Sequence, residues 1–126
     1  MQKLVYEYAV IRVVPRVERE EFINVGVVLF CKYSRYLRVD YKLDENRLLS
    51  FSADLDCDQL KANLDSFVKI CEGGKTGGPI ALEDKPERFR WLTALRSSVI
   101  QTSRPHPGMA NDLDAEFEKL FKDYIL

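Results

Sequence analysis

Two apolar, β-branched runs separated by a short charged connection constrain this chain more than any other feature. The first reads Tyr6-Glu-Tyr-Ala-Val-Ile-Arg-Val-Val-Pro15 and the second Phe22-Ile-Asn-Val-Gly-Val-Val-Leu-Phe-Cys31, with Arg16 to Glu21 between them. Runs of this composition, joined by a few polar residues, predict neighbouring antiparallel strands. A strand with one wet face alternates apolar and polar residues. The second run does not: only Asn24 and Gly26 interrupt it, so both of its faces are expected to be buried. It is the natural centre of a sheet.

The first strand is predicted from Leu4 to Val14. Tyr6, Tyr8, Val10, Arg12 and Val14 share one face, and Val5, Glu7, Ala9, Ile11 and Val13 the other. Pro15 ends it. Past a turn at Lys32-Tyr-Ser-Arg35, residues Tyr36 to Leu43 alternate cleanly. Leu37, Val39, Tyr41 and Leu43 are expected inward and Arg38, Asp40 and Lys42 outward, which makes this the third strand of a meander.

From Asp44 the period changes to that of helices. Asp44 caps a short one carrying Leu48, Leu49 and Phe51, and Asp56 or Asp58 opens a longer one. Its stripe is Leu60, Leu64, Phe67, Val68 and Cys71, and Gly73-Gly74 stops it. Lys75 to Gly78 reads as a mobile connection and Pro79 to Leu82 as a short extended segment. A helix capped near Asp84, with Pro86 in its first turn, is predicted to run to about Ser97 and to present Phe89, Leu92 and Leu95. Val99 to Ser103 is a further strand candidate, whereas the two prolines of Arg104-Pro-His-Pro-Gly108 argue against regular structure. Asn111 or Asp112 caps a closing helix with Leu113, Phe117, Leu120, Phe121 and Tyr124 on one face. Strands first and helices after predict an α+β domain: a central antiparallel sheet of three to four strands packed by three to four helices.

At 126 residues the chain suits a single domain, residues 1–126. Its net charge is −1, but the sign is unevenly spread. Residues 1–43 carry +3, 44–72 carry −4, 73–108 carry +3 and 109–126 carry −3. That balance argues against general nucleic-acid coating while leaving room for a local basic cleft. No stretch reaches the length of a membrane span, and Glu7 falls where a signal peptide needs its apolar core. Cys31, Cys57 and Cys71 show no CxxC spacing, so free thiols in a reducing cytoplasm are expected.

A single histidine, His106, excludes a multi-histidine metal site, and no cofactor is expected. Gly73-Gly-Lys-Thr-Gly-Gly78 imitates a phosphate loop but lacks the first glycine at the required spacing, and a helix precedes it instead of a strand. Ser103 near His106 is not supported by a nucleophile elbow.

At Tyr8-Ala-Val-Ile-Arg-Val-Val-Pro15 and Arg19-Glu-Glu-Phe-Ile-Asn-Val-Gly-Val-Val28 the chain resembles the bacterial family called domain of unknown function 3037. Phe89, Trp91-Leu92, Ser97-Ser98, Ile100-Gln-Thr-Ser103 and Gly108 are similar to its second block, and Leu113 to Phe121 to its closing helix. The resemblance implies a small cytoplasmic bacterial protein. Its members tend to lie beside genes for HipA-like kinases, which implies a protein partner.

The residues that break the apolar pattern are the candidate binding residues. Arg12 and Glu21 read in one of two ways: as an ion pair pinning the hairpin, or as part of an anion site of Arg12 and Arg19 oriented by Glu21 and Asn24. Of the two arginines, Arg12 is the one expected to be structural and Arg19, in the charged loop, functional. Ser103, Arg104 and His106 form a second group, in a proline-fixed loop. The favoured function is a non-enzymatic binding or regulatory module acting through a protein partner. The alternative is a small anion-binding domain or enzyme acting on a phosphorylated substrate or nucleic-acid end, with Arg12, Arg19 and Arg104 as anion ligands.

Overall fold

In the computed structural model, which describes residues 3–96 and 98–126, the two runs form the middle of a five-stranded antiparallel sheet. Strand β1 (Leu4–Val13) pairs with β2 (Ile23–Cys31), and β2 with β3 (Tyr36–Tyr41). On its other side β1 pairs with two short strands in succession. These are β4 (Ile100–Thr102), against residues 11–13, and β5 (His106–Ala110), against residues 4–8. The sheet is four strands wide and carries one strand more than the sequence predicts.

That extra strand, β5, corrects the reading of residues 104–108 as irregular. Pro107 is tolerated because β5 lies at the sheet edge, where a missing donor interrupts no inner ladder. Between β4 and β5, three residues (Ser103 to Pro105) stand opposite two of β1, Ala9 and Val10, so the edge bulges. Ser103 bridges the bulge: its N–H donates to the Val10 carbonyl at 2.8 Å, and its hydroxyl accepts from the Val10 N–H at 2.9 Å.

β2 contains a second bulge. Gly26 pairs with Ile11 and Asn24 with Arg12, which leaves Val25 as the extra residue. Gly26 is required there, since a Cβ would lie 2.5 Å from the Asp40 carbonyl oxygen of β3. As the unbroken apolar pattern predicts, β2 is buried on both faces: Val25 and Val28 on one, Val27 and Leu29 on the other.

All four α-helices start at an aspartate whose side chain accepts the N–H three residues on. They are α1 (Glu45–Phe51, cap Asp44), α2 (Cys57–Glu72, cap Asp56), α3 (Lys85–Leu92, cap Asp84) and α4 (Leu113–Tyr124, cap Asp112). Three helices bury one face of the sheet: Leu48 of α1, Leu60, Leu64 and Phe67 of α2, and Phe89 and Leu92 of α3 pack with Ala9, Ile11, Val13, Val25 and Val28. Helix α4 packs alone on the other face, setting Leu113, Phe117 and Leu120 on Tyr6, Val27, Leu29 and Cys31.

The structure differs from the sequence reading in three further places. Helix α3 stops at Leu92: Thr93 is its C-cap, with φ −102° and ψ 7°, and its N–H and hydroxyl close the last turn on the Phe89 carbonyl. Leu95 is therefore not core but 88% exposed, and the expected end at Ser97 falls outside the described residues. Lys75–Gly77 and Pro79–Leu82 are 3₁₀ turns rather than a loose linker and an extended piece. They pack on the end of α2, where a Cβ on Gly77 would meet Ala81 and the Lys69 carbonyl. Arg38 does not simply face outward, since α4 covers it. All three thiols are free, with Cys31 and Cys71 buried and Cys57 half-buried. Among the described residues no helix is long and apolar enough to cross a membrane.

Candidate functional site

On the face that α4 covers, the sheet carries a polar row across three neighbouring strands. Arg12 of β1 lies directly between Asn24 of β2 and Gln101 of β4. Strand alternation produces the row, because Ile11, Val13, Ile23, Val25 and Ile100 all turn to the other face. Arg12, Val14, Val17, Glu20, Phe22 and Gln101 line an open cavity of about 350 Å³.

Arg12 makes no ion pair with Glu21, which corrects the pairing expected from sequence. Its guanidinium carbon lies 3.9 Å from the centre of the half-exposed Phe22 ring, and its Nε is buried without a hydrogen-bond partner. Among the described residues no carboxylate comes within 4 Å of it, although Glu20 lines the same cavity. Burial lowers the Arg12 pKa from its ordinary value, with no opposing anion. The neighbouring Asn24 also holds its Oδ1 buried and unpartnered. A buried donor and a buried acceptor thus stand side by side, each unsatisfied.

Arg38, on β3, shows what a satisfied arginine on this same face looks like. Its guanidinium sits 4.2 Å from the centre of the Phe117 ring, as Arg12 sits on Phe22, and it reaches Glu118 at 2.6 Å and Asp114 at 3.3 Å. Burial pulls the Arg38 pKa down, but contacts with Tyr36 and Glu118 outweigh it and leave the pKa raised. Helix α4 brings both carboxylates and the ring. At Arg12 the ring is present and the carboxylates are not.

The other candidate residues fall in two separate places. Glu21 pairs with Arg19 at 2.6 Å on an exposed rim, and both line a cavity with Pro15, Ser50, Phe51 and Ser52 at the C-terminal end of α1. Ser103, Arg104 and His106 lie at the β4–β5 bulge. The Ser103 hydroxyl is engaged by Val10 N–H and donates to the Arg104 carbonyl at 3.1 Å. Arg104 is exposed, and the His106 ring packs on Tyr8 at 5.5 Å. The three arginines therefore do not share a cavity. Sequence reasoning missed Phe22 and Gln101 as partners of Arg12. Gln101 was detectable, since alternation in the Val99–Ser103 segment turns it away from Ile100.

One thiol and two tyrosine hydroxyls are drawn away from nucleophilic or acid–base chemistry. Burial pushes the Cys71 thiol up to about 11. The Tyr36 and Tyr41 hydroxyls are raised to about 12, first by burial and then by hydrogen bonds to Asp114 and Asp65. Among the described residues no group of three or more His, Cys, Asp or Glu side chains is placed to hold a metal ion.

No curated protein and no solved structure matches the chain. The sequence does match a family model, described as "Protein of unknown function (DUF3037)", from residue 8 to residue 125. That span takes in all four helices, all but the first residues of β1 and every candidate residue above. The chain belongs to the DUF3037 family.

Proposed function

We propose that this domain is a non-enzymatic binding module of the bacterial cytoplasm, and that it docks a carboxylate-bearing segment of a protein partner over the Arg12 end of the sheet. One observation carries this reading: Arg12 and Arg38 share a sheet face and an aromatic neighbour, but only Arg38 has its carboxylates. A desolvated guanidinium beside an aromatic ring is the kind of anchor that dominates protein interfaces. A partner segment would do at Arg12 what α4 does at Arg38. The Gln101 side chain lines the same cavity, with its amide N–H₂ donating to the Ser98 carbonyl at 2.8 Å. Three unpaired thiols suit a reducing compartment. The HipA-like kinases implied by the family resemblance are the first partner to test.

The experiment is capture of a purified HipA-like kinase, and of native-lysate proteins, on the wild-type chain and on Arg12→Ala, Arg19→Ala and Glu20→Gln. Thermal melts are recorded on the same samples. Binding should be lost in Arg12→Ala, whose melting curve stays close to wild type, and kept in Arg19→Ala. Glu20→Gln should bind at least as well, since it removes the carboxylate that lines the same cavity. A folded Arg12→Ala that captures every partner as well as wild type rules the site out.

A further inference from the structure

A second cavity, of about 500 Å³, opens between the β2–β3 turn and the start of α3, and it shares no residue with the Arg12 cavity. Its lining includes Phe30, Lys32, Arg35, Asp84, Lys85 and Arg88. Four cations thus face one carboxylate, and the Asp84 side chain is engaged in capping α3, where it accepts the Glu87 N–H at 3.4 Å. Among the described residues none of the four cations has a carboxylate within 4 Å, whereas Arg19, Arg38, Lys61 and Arg90 all do.

The innermost of the four is Arg88, 7% exposed. Its Nη1 donates to the Ile70 and Cys71 carbonyls at the end of α2, at 3.1 and 2.8 Å, while its Nε is buried with no partner. Those carbonyls offset only part of a full positive charge. Lys85 ties the rim together by donating from Nζ to the Arg35 carbonyl at 2.5 Å. Arg35 itself holds a left-handed backbone, φ 53°, in that turn. Like charges gathered in a concave, partly apolar site raise the local potential, and that potential selects an anion. Phe30 adds an aromatic surface to the lining, backed by the Phe89 ring at 5.1 Å. The volume matches that of a small-molecule site.

We propose that this cavity binds a phosphorylated ligand with a planar ring, of the nucleoside-phosphate class. Lys32, Arg35 and Arg88 hold the phosphate, and Phe30 stacks the ring. This site stands apart from the partner surface at Arg12, and either can fail without the other.

The test is calorimetric titration of the full chain with inorganic phosphate, adenosine and AMP at low and high salt. AMP should bind about tenfold more tightly than inorganic phosphate, the share that one stacked ring contributes. Adenosine should not bind in the millimolar range, and salt should weaken AMP binding. Lys32→Gln and Arg35→Gln, both at exposed positions without ion pairs, should each weaken AMP about tenfold with the melting curve unchanged. Arg88→Met removes the cap of α2 and is expected to lower stability as well, so it is not the deciding variant. No binding of AMP or phosphate overturns the proposal, as does binding insensitive to both exposed variants. Adenosine binding as tightly as AMP overturns it too. Phosphate binding that equals AMP binding overturns it as well, since the ring then contributes nothing.

Discussion

Arg12 and Arg38 occupy the same sheet face, yet their removal should have unequal consequences. Arg38→Ala gives up a ring contact and two partly exposed ion pairs, together about 1–2 kcal/mol of folding stability. Arg12→Ala gives up only the contact with Phe22 and relieves a desolvated cation, so its effect should stay within about 1 kcal/mol. A buried Arg12–Glu21 pair would instead have cost about 3–5 kcal/mol to break. Denaturant unfolding of both variants decides between these magnitudes, and an Arg12→Ala loss larger than that of Arg38→Ala contradicts the structure. The sequence shows that Arg12 interrupts an apolar strand. It does not show that Glu21 turns to Arg19, because the partner depends on how the connection folds: Val17–Arg19 forms a 3₁₀ turn and Glu20 takes a left-handed backbone, φ 56°.

At the scale of elements, the edge strands are where local reasoning falls short. Residues 100–110 read as a short strand followed by an irregular proline loop, yet they run along β1 as β4 and β5 with one bulge between them. Ser103 makes this possible by putting its hydroxyl where a ladder carbonyl would stand, against Val10 N–H. Ser103→Ala should leave that amide without an acceptor and cost about 1–3 kcal/mol. Amide exchange at Val10 should accelerate accordingly, and unchanged protection there would mean that the hydroxyl is dispensable. Helices α1, α2 and α4 behave in the reverse way: cap and apolar stripe are both local signals, and the expected aspartates start them. Helix α2 also buries Ile70, which the sequence stripe does not include, in the core it shares with the sheet.

At the scale of the whole molecule, the two faces of the sheet are covered unequally: three helices on one, α4 alone on the other. Much of the polar contact around α4 runs through tyrosines. Tyr6 donates to Glu116 at 2.5 Å, Tyr36 to Asp114 at 2.6 Å, and Tyr8 meets Tyr124 at 3.3 Å. On the opposite face Tyr41 donates to Asp65 of α2. Burial and these carboxylates raise Tyr6, Tyr36 and Tyr41, while Tyr8 is raised first by its hydrogen bond to Tyr124 and then by burial. Tyr8, Tyr36 and Tyr41 reach about 12, and Tyr6 is pushed higher still. Because the folded chain holds these protons more tightly than the unfolded one, the stabilisation is complete below pH 10 and is lost as pH rises towards 12. Chemical denaturation should show stability falling across that window. A flat profile from pH 9 to pH 12 would mean that the hydroxyls are not held by these partners. The sequence by itself determined the parts whose signal is local: the meander from β-branched runs, the doubly buried β2, the aspartate caps and the stripes of α2 and α4. Tertiary structure alone decided which side chain meets which. Strand register put Arg12 between Asn24 and Gln101, and the docking of α4 supplied carboxylates to Arg38 and none to Arg12. Such partners lie up to about a hundred residues apart in the chain, and no periodicity encodes a distance of that kind.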